Sequence, residues 1–491
     1  MKPSNTLPVS YCNNFCEVLS GKIKNARIKT IYLHLVLLTA LLLAAVGIKA
    51  QVPKLNSYPS ATATIFLDFD GQTVTGTLWN WGGPIMAQPS GFSNSAITEI
   101  FNRVSEDYRP FNINITTDST VYFAAPIKQR TRVIITPTYS WYSSSAGGVA
   151  FVGSFTFGDD TPAWVFCSLL SNNVKAVAEA SSHESGHTLG LQHQSTYDAN
   201  CNKTAEYSPG TGTGEIGWAP IMGVGYSKNL TTWHKGPNSI SCSTIQDDMS
   251  IIAGAANGFG YRTASTNTDI TSAANIPLQG AQNFSVDGTI SRSGEMNAFK
   301  IVVPANTTLM LNAIPESVGT SNGINNNGAN IDIRVKILNS NKDTIGTYNP
   351  ATSLNAGIDT SLYTGTYYLL VDGASNANMA QYGSLGYYSM AGSLATALPI
   401  DESKPKKDYL VSSNTKEKAV QLISNSISGS VTVKSNSKYP YQLLDVAGRI
   451  VSKGELQKGT NTITAPTYVS GMLFLLLTDG ITQWTEKLMK Q

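Results

Sequence analysis

The residues His183-Glu184-Ser185-Gly186-His187-Thr188-Leu189-Gly190-Leu191-Gln192-His193 constrain this chain more than any other stretch. On a helix, His183 and His187 stand one turn apart on the same face, where two imidazoles can approach a single ion at about 2.1 Å. Glu184 is rotated from them by about 100 degrees, so its carboxylate can reach a water beside the ion without becoming a ligand. Gly190 can adopt a left-handed conformation and end the helix, and the turned chain then brings His193 to the ion from another direction. Three neutral imidazoles leave one position of a tetrahedral ion open, the arrangement expected of hydrolytic zinc. A bare H-E-x-x-H arises by accident. Here three of the chain's five histidines fall in one pattern together with the acid and the glycine. A metal-free descendant of such a site is the other reading, against which stands the presence of every ligand and of the acid.

The rest of the chain limits where such a site is found. At 491 residues it exceeds what one hydrophobic core usually organises. A formal charge of +2 and only 13% charged residues leave no basic field for nucleic acid. Lys22, Lys24, Arg27 and Lys29 precede an apolar run from Ile31 to Val46 and then the Ala50-Gln51 junction, which reads as a secretory signal over 1–50 with a mature start at Gln51. A membrane anchor is the rival reading, but the run is short for a bilayer and contains His34. The long segment before the run leaves the start codon open. No stable membrane span is expected in the mature chain. Cys167, Cys201 and Cys242 follow the leader. Cys201 and Cys242 flank Met222 in a loop-rich stretch where a disulfide between them would pin the loop, with Cys167 as a buried thiol.

Periodicity divides the remainder. Residues 61–69 alternate as a strand, Ala96 to Tyr108 carries apolar residues at helical spacing, and strand-like runs follow at Phe111–Thr117, Thr131–Thr136, Gly148–Phe155 and Trp164–Leu169. A helix is expected over Asn173–Gly190 and a short closing helix over Met249–Ala255 behind Asp247 and Asp248. The expected fold is multidomain: an α/β (α+β) catalytic unit over 51–262, an all-β sandwich over 263–396, a polar linker over 397–417 and a second all-β sandwich over 418–491. Asp68 and Asp70 look like a calcium loop, but no glutamate stands at the twelfth position, so calcium is not indicated.

The stretch from His183 to His193 matches H-E-x-x-H-x-x-G-x-x-H at every fixed position and resembles the metzincin zinc peptidases. The resemblance implies zinc on His183, His187 and His193, with Glu184 as general base. It also implies a methionine turn in Trp218-Ala-Pro-Ile-Met-Gly-Val-Gly-Tyr226, with Met222 as an apolar floor, although ordinary core packing would place Met222 similarly. A tyrosine after that turn supports the oxyanion in some members; there it follows the methionine by two residues, and here Tyr226 follows by four. In that family an edge strand aligns the substrate, for which Gly147–Gly153 is the candidate unless its glycines mark a bulge. His234 fits a loop or substrate contact better than a fourth ligand.

Gly365-Thr-Tyr-Tyr-Leu-Leu-Val-Asp-Gly373 with Tyr382-Gly383 and Tyr387-Tyr388 resembles the prepeptidase C-terminal domain of bacterial secreted peptidases. Tyr441 to Val451, Gly459 to Thr464, Gly471 to Leu477 and Glu486 to Leu488 resemble the C-terminal sorting domain of the type IX secretion system. Together these resemblances imply a zinc metalloendopeptidase exported through the periplasm of a Gram-negative bacterium to the surface or medium. Its partners would be protein or peptide substrates and the type IX machinery. The alternative from another class is a surface adhesin or carbohydrate-binding protein with a non-catalytic zinc fold.

Overall fold

The computed structural model describes residues 51–263, 267–279, 282–318, 326–396 and, with short gaps, 420–490. The expected leader over 1–50 and the linker over 397–417 lie outside the described residues, as do residues 446–449. Strands dominate, in several separate sheets.

The first sheet is built from β1 (Ala63–Asp68), β4 (Ile113–Thr116), β5 (Arg130–Thr136), β6 (Gly148–Val149) and β7 (Ala163–Phe166), in the order β4-β1-β5-β7-β6. The pairings of β1 with β4 and β5, and of β5 with β7, are parallel; β6 is antiparallel to β7 and forms one edge. A hairpin of β2 (Gln72–Val74) and β3 (Ile85–Ala87) precedes α1 (Asn94–Asp107), and α2 (Ser119–Ala124) follows β4. The α3 helix (Val174–Thr188) follows β7. Ser93 caps α1 by accepting from Ala96 N–H, and Asn173 caps α3 by accepting from Ala176 N–H.

Period-two alternation sorts the strands between two faces. Ile65, Leu67, Val133, Ile135 and Val165 join Ile97, Ile100 and Val104 of α1 and Val177 and Ala178 of α3 in one core. Ile134, Trp164 and Phe166 turn to the opposite face and form an aromatic-rich cluster with Trp79. Each fully buried aliphatic side chain here is worth about 1.5–3 kcal/mol of transfer free energy. Because both faces are covered, every residue of β1 is buried.

Two expectations are corrected. The run Gly148–Phe155 is a strand only over Gly148–Val149. Gly153 enters a left-handed conformation at φ +80° and donates to the carbonyl of His187 at 2.9 Å, and Ser154–Thr156 continues as a 3-10 turn. The closing helix α4 is Asp248–Ile252, starting one residue earlier and ending three residues earlier than its apolar pattern; the Asp247 side chain caps its start by accepting from Ser250 N–H.

Beyond residue 270 two antiparallel-rich sheets face each other. One has the strand order Ala274–Asn275, Met296–Val303, Gly365–Gly373, Ile333–Leu338, Thr344–Tyr348; the other has Asn283–Ile290, Gly386–Thr396, Thr307–Pro315, Ala356–Leu362. Alternate residues of Thr307–Pro315 are buried, as a strand packed on one face requires. Residues of this sandwich, among them Phe299, Ile331 and Leu385, share one continuous hydrophobic cluster with the first sheet and its helices. Two further sheets within 420–490 enclose a separate cluster that includes Val431, Val433, Leu443, Leu473, Leu475 and Leu477.

Candidate metal centre

The end of α3 shapes the site. Gly190 lies at φ +103°, its N–H donates to the carbonyl of His187 at 2.9 Å, and Leu191 N–H reaches back to the carbonyl of Gly186 at 3.1 Å. This paired closure satisfies the last helical carbonyls and reverses the chain. The reversal also returns the Leu191 carbonyl to His187, whose Nδ1 lies 2.7 Å from it.

Each of the other two histidines has its own oxygen partner. His183 Nδ1 lies 2.8 Å from the carbonyl of Ile221, and His193 Nδ1 lies 2.8 Å from Glu206 Oε1. Carbonyl and carboxylate oxygens only accept, so each Nδ1 carries a proton, and in the neutral ring that leaves the lone pair on Nε2. The three rings converge, with centroids 4.8 Å apart for His183 and His187, 5.3 Å for His183 and His193, and 4.8 Å for His187 and His193. One ligand atom from each lies within 4.8 Å of the others, and among the described residues this is the group of metal-binding side chains that gathers in this way. Burial, reinforced by the neighbouring imidazoles, holds His183 well below its ordinary value, and burial takes His187 down to about 4. Both are therefore neutral at pH 7, as ligation requires.

Glu184 stands beside them. It is buried, and its Oε2 finds no hydrogen-bond partner among the described residues. Burial pushes its carboxyl up to about 8. A methyl added at Gly148 would lie 2.7 Å from Glu184 Cγ and Oε1, so β6 passes directly over the carboxylate because it carries glycine there. Three Nε2 lone pairs facing one point and an orphaned buried carboxyl next to it fit a divalent cation with an open coordination position.

Met222 is fully buried, and a methyl at Gly186 would lie 2.6 Å from its Sδ; its side chain therefore lies against α3 between His183 and His187. Its carbonyl accepts from Gln194 N–H at 2.8 Å, tying this turn to the chain just beyond His193. Tyr226 comes to the same cleft: its hydroxyl lies beside Gly147, and burial, then the proximity of Glu184, raises it to about 12. His234 does not join the group; its ring is 5.0 Å from that of Trp218, and burial lowers it to about 4. Asp68 is buried 3.6 Å from Arg132, and no third metal-binding group joins it and Asp70 among the described residues.

The structure adds two residues that the sequence reading lacked, Glu206 and Tyr207. Glu206 accepts from His193 and, at 2.7 Å, from Lys203 Nζ, which also donates to the carbonyl of Ser239 at 2.8 Å. Burial opposes the charge of Glu206, but the bonds from Lys203 and His193 outweigh it and hold its carboxyl below the usual value. The Tyr207 ring lies 4.3 Å from that of His193 and 6.0 Å from that of His183. A disulfide between Cys201 and Cys242, with Cα atoms 5.6 Å apart, staples this loop, and Cys167 is a buried free thiol. No motif spacing marks Glu206 or Tyr207, since a folded loop alone brings them to His193.

A buried polar network supports the back of α3. Ser182 donates to Asp107 Oδ2 at 2.5 Å, and Asn330 of the sandwich donates to Asp107 Oδ1 at 2.7 Å. Lys175 pairs with Glu179 at 2.5 Å and donates to the carbonyl of Gly225 at 3.3 Å, while Thr231 donates to Glu179 at 2.9 Å, so the methionine turn is tied to the same helix.

No family model matches the chain, and a search of characterised proteins returns no match. Among solved structures it is similar to the pre-peptidase C-terminal domain of a collagenase from Bacillus anthracis, at 14% identity over 27% of this chain and 97% of that one, with a TM-score of 0.18. It is also similar to a β-glucuronidase from Faecalibacterium prausnitzii, at 12% identity over 40% of this chain and 37% of that one, with a TM-score of 0.19. A β-glucuronidase from Ruminococcus gnavus matches at 13% identity over 40% of this chain and 36% of that one, with a TM-score of 0.19. The chain thus spans little more than a third of the glucuronidases it matches.

Proposed function

We propose that the chain is a secreted zinc-dependent metalloendopeptidase of the metzincin kind that hydrolyses peptide bonds of extracellular proteins. The observation that carries this reading is the convergence of His183, His187 and His193, each with its Nδ1 engaged, beside the buried carboxyl of Glu184, whose Oε2 has no hydrogen-bond partner among the described residues. The Nε2 atoms of His183, His187 and His193 would hold the ion. Zinc bound there supplies Lewis acidity, drawing the pKa of a water towards 7 and polarising a carbonyl. Glu184 accepts the proton of the attacking water and delivers it to the amine nitrogen that leaves. Tyr226, whose hydroxyl lies over Gly147, stabilises the oxyanion as it develops. The free edge of β6 aligns an extended peptide by main-chain pairing.

Export is supported by the basic and apolar pattern before Gln51 and by the likeness of the last residues to type IX sorting domains. No helix among the described residues is long and apolar enough to cross a membrane.

The test is cleavage of reduced, unfolded casein by the full chain. Activity abolished by a zinc chelator and restored by adding back about one equivalent of zinc is expected. Equal cleavage before and after complete metal removal contradicts the reading.

A further inference from the structure

Alternation in the first sheet has a second result at its β6 edge. Trp164 and Phe166 of β7 point away from α3, and over them gather Trp79, Trp141, Tyr142, Val149 and Phe151. Ring centroids are 4.7 Å apart for Trp141 and Trp164, 4.1 Å for Trp79 and Phe151, and 6.1 Å for Tyr142 and Phe166. The lower rings of this stack are core. Its upper layer is not: Trp81 leaves 67% of its surface in water, with its ring 5.9 Å from Trp79 and 6.4 Å from Trp141, while Trp141 and Tyr142 are only partly covered. An exposed indole standing on two others is not required by the packing beneath it.

The geometry of β6 says what this platform faces. Phe166 N–H donates to the carbonyl of Gly147 at 2.8 Å, and Gly148 and Val149 lie opposite Val165 and Trp164. In an antiparallel ladder bonded positions alternate, so the N–H and C=O of Gly148 point off the sheet to its free edge. The Cβ direction of Gly148 runs into Glu184, whereas Val149 belongs to the aromatic face. A polypeptide paired on this edge continues the alternation: its side chains point by turns towards Glu184 and towards the aromatic face.

We infer that Trp81, Trp141 and Tyr142 form a subsite for a large apolar or aromatic side chain of an extended polypeptide substrate, carried by a residue next to one whose side chain faces Glu184. This deepens the peptidase reading and rests on it. Continuity with the Gly148 edge favours a peptide over a sugar as the occupant.

The experiment compares the full wild-type chain, Trp81→Ala, Tyr142→Ala and, as a control, Tyr363→Ala, whose ring is 73% exposed in the sandwich. Each is given a peptide series in which tryptophan, phenylalanine or alanine occupies every position around one cleaved bond. The wild type should favour the aromatic side chains about tenfold in kcat/KM at one position. Trp81→Ala and Tyr142→Ala should lose most of that preference through KM, and Tyr363→Ala should keep it. Cleavage by all four proteins with the same profile overturns the subsite and leaves the peptidase reading standing. Failure of the wild type to cleave any member, while it holds zinc, removes both. Loss of binding to an immobilised polysaccharide in Trp81→Ala, with peptide preference intact, would make the platform a sugar site and overturn the inference.

Discussion

At the scale of single residues the site is set by which atoms already have partners. Glu184 is neutral at pH 7 in the metal-free chain because burial raises it to about 8, whereas His183 and His187 are already unprotonated. A divalent cation nearby favours the carboxylate, so the proposed zinc binding should, at pH 7, release a proton from Glu184 and none from these two imidazoles. Titration calorimetry in buffers of different ionisation enthalpy should show up to about one proton fewer released by Glu184→Gln than by the wild type; equal release contradicts the assignment. Glu206→Ala removes the acceptor that orients His193, and loss of such a partner typically weakens metal binding by about 10–100-fold. Competition with a chromophoric chelator measures that change, and unaltered affinity would show that the bond between His193 and Glu206 is incidental. His183, Glu184, His187 and His193 were legible in the sequence because helical and turn geometry convert their spacing directly into direction. Glu206 was not, because its approach depends on a loop closed by Cys201 and Cys242.

At the scale of elements the meeting of β6 and α3 decides the shape of the cleft. The pattern of apolar residues overstated β6, since alternation continues to Phe155 while the backbone leaves the sheet through Gly153 to bond the end of α3. The Asn173 cap and the Gly190 stop of α3 were better marked, because each end has its own local chemistry. The α2 helix went unseen: six residues are too few for a helical period to emerge. Gly148→Ala places a methyl 2.7 Å from both Glu184 and the Trp164 carbonyl, so the carboxyl or the edge must shift. A displacement near 1 Å costs about 100-fold in rate. The variant should retain zinc and lose about that much kcat/KM on unfolded casein; full activity would mean that Glu184 is not held by this contact.

At the scale of the whole molecule the sandwich is fused to the first sheet by a continuous core and by Asn330, whose amide donates to Asp107 behind α3. The change of texture near residue 262 marks a change of secondary structure and conceals this shared core, which no local pattern reveals. Asn330→Ala leaves a buried carboxyl oxygen without its donor and should cost about 1–3 kcal/mol of unfolding free energy, read from urea denaturation of the full chain. A midpoint identical to that of the wild type would mean that the contact bears nothing. The central claim is that these histidines hold zinc and that Glu184 performs proton transfer beside it. Its most direct test measures zinc content and casein cleavage for the full chain beside Glu184→Ala: about one zinc per chain in both, with cleavage lost in the variant, is the predicted result, and either cleavage retained by the variant or no zinc in the wild type contradicts it.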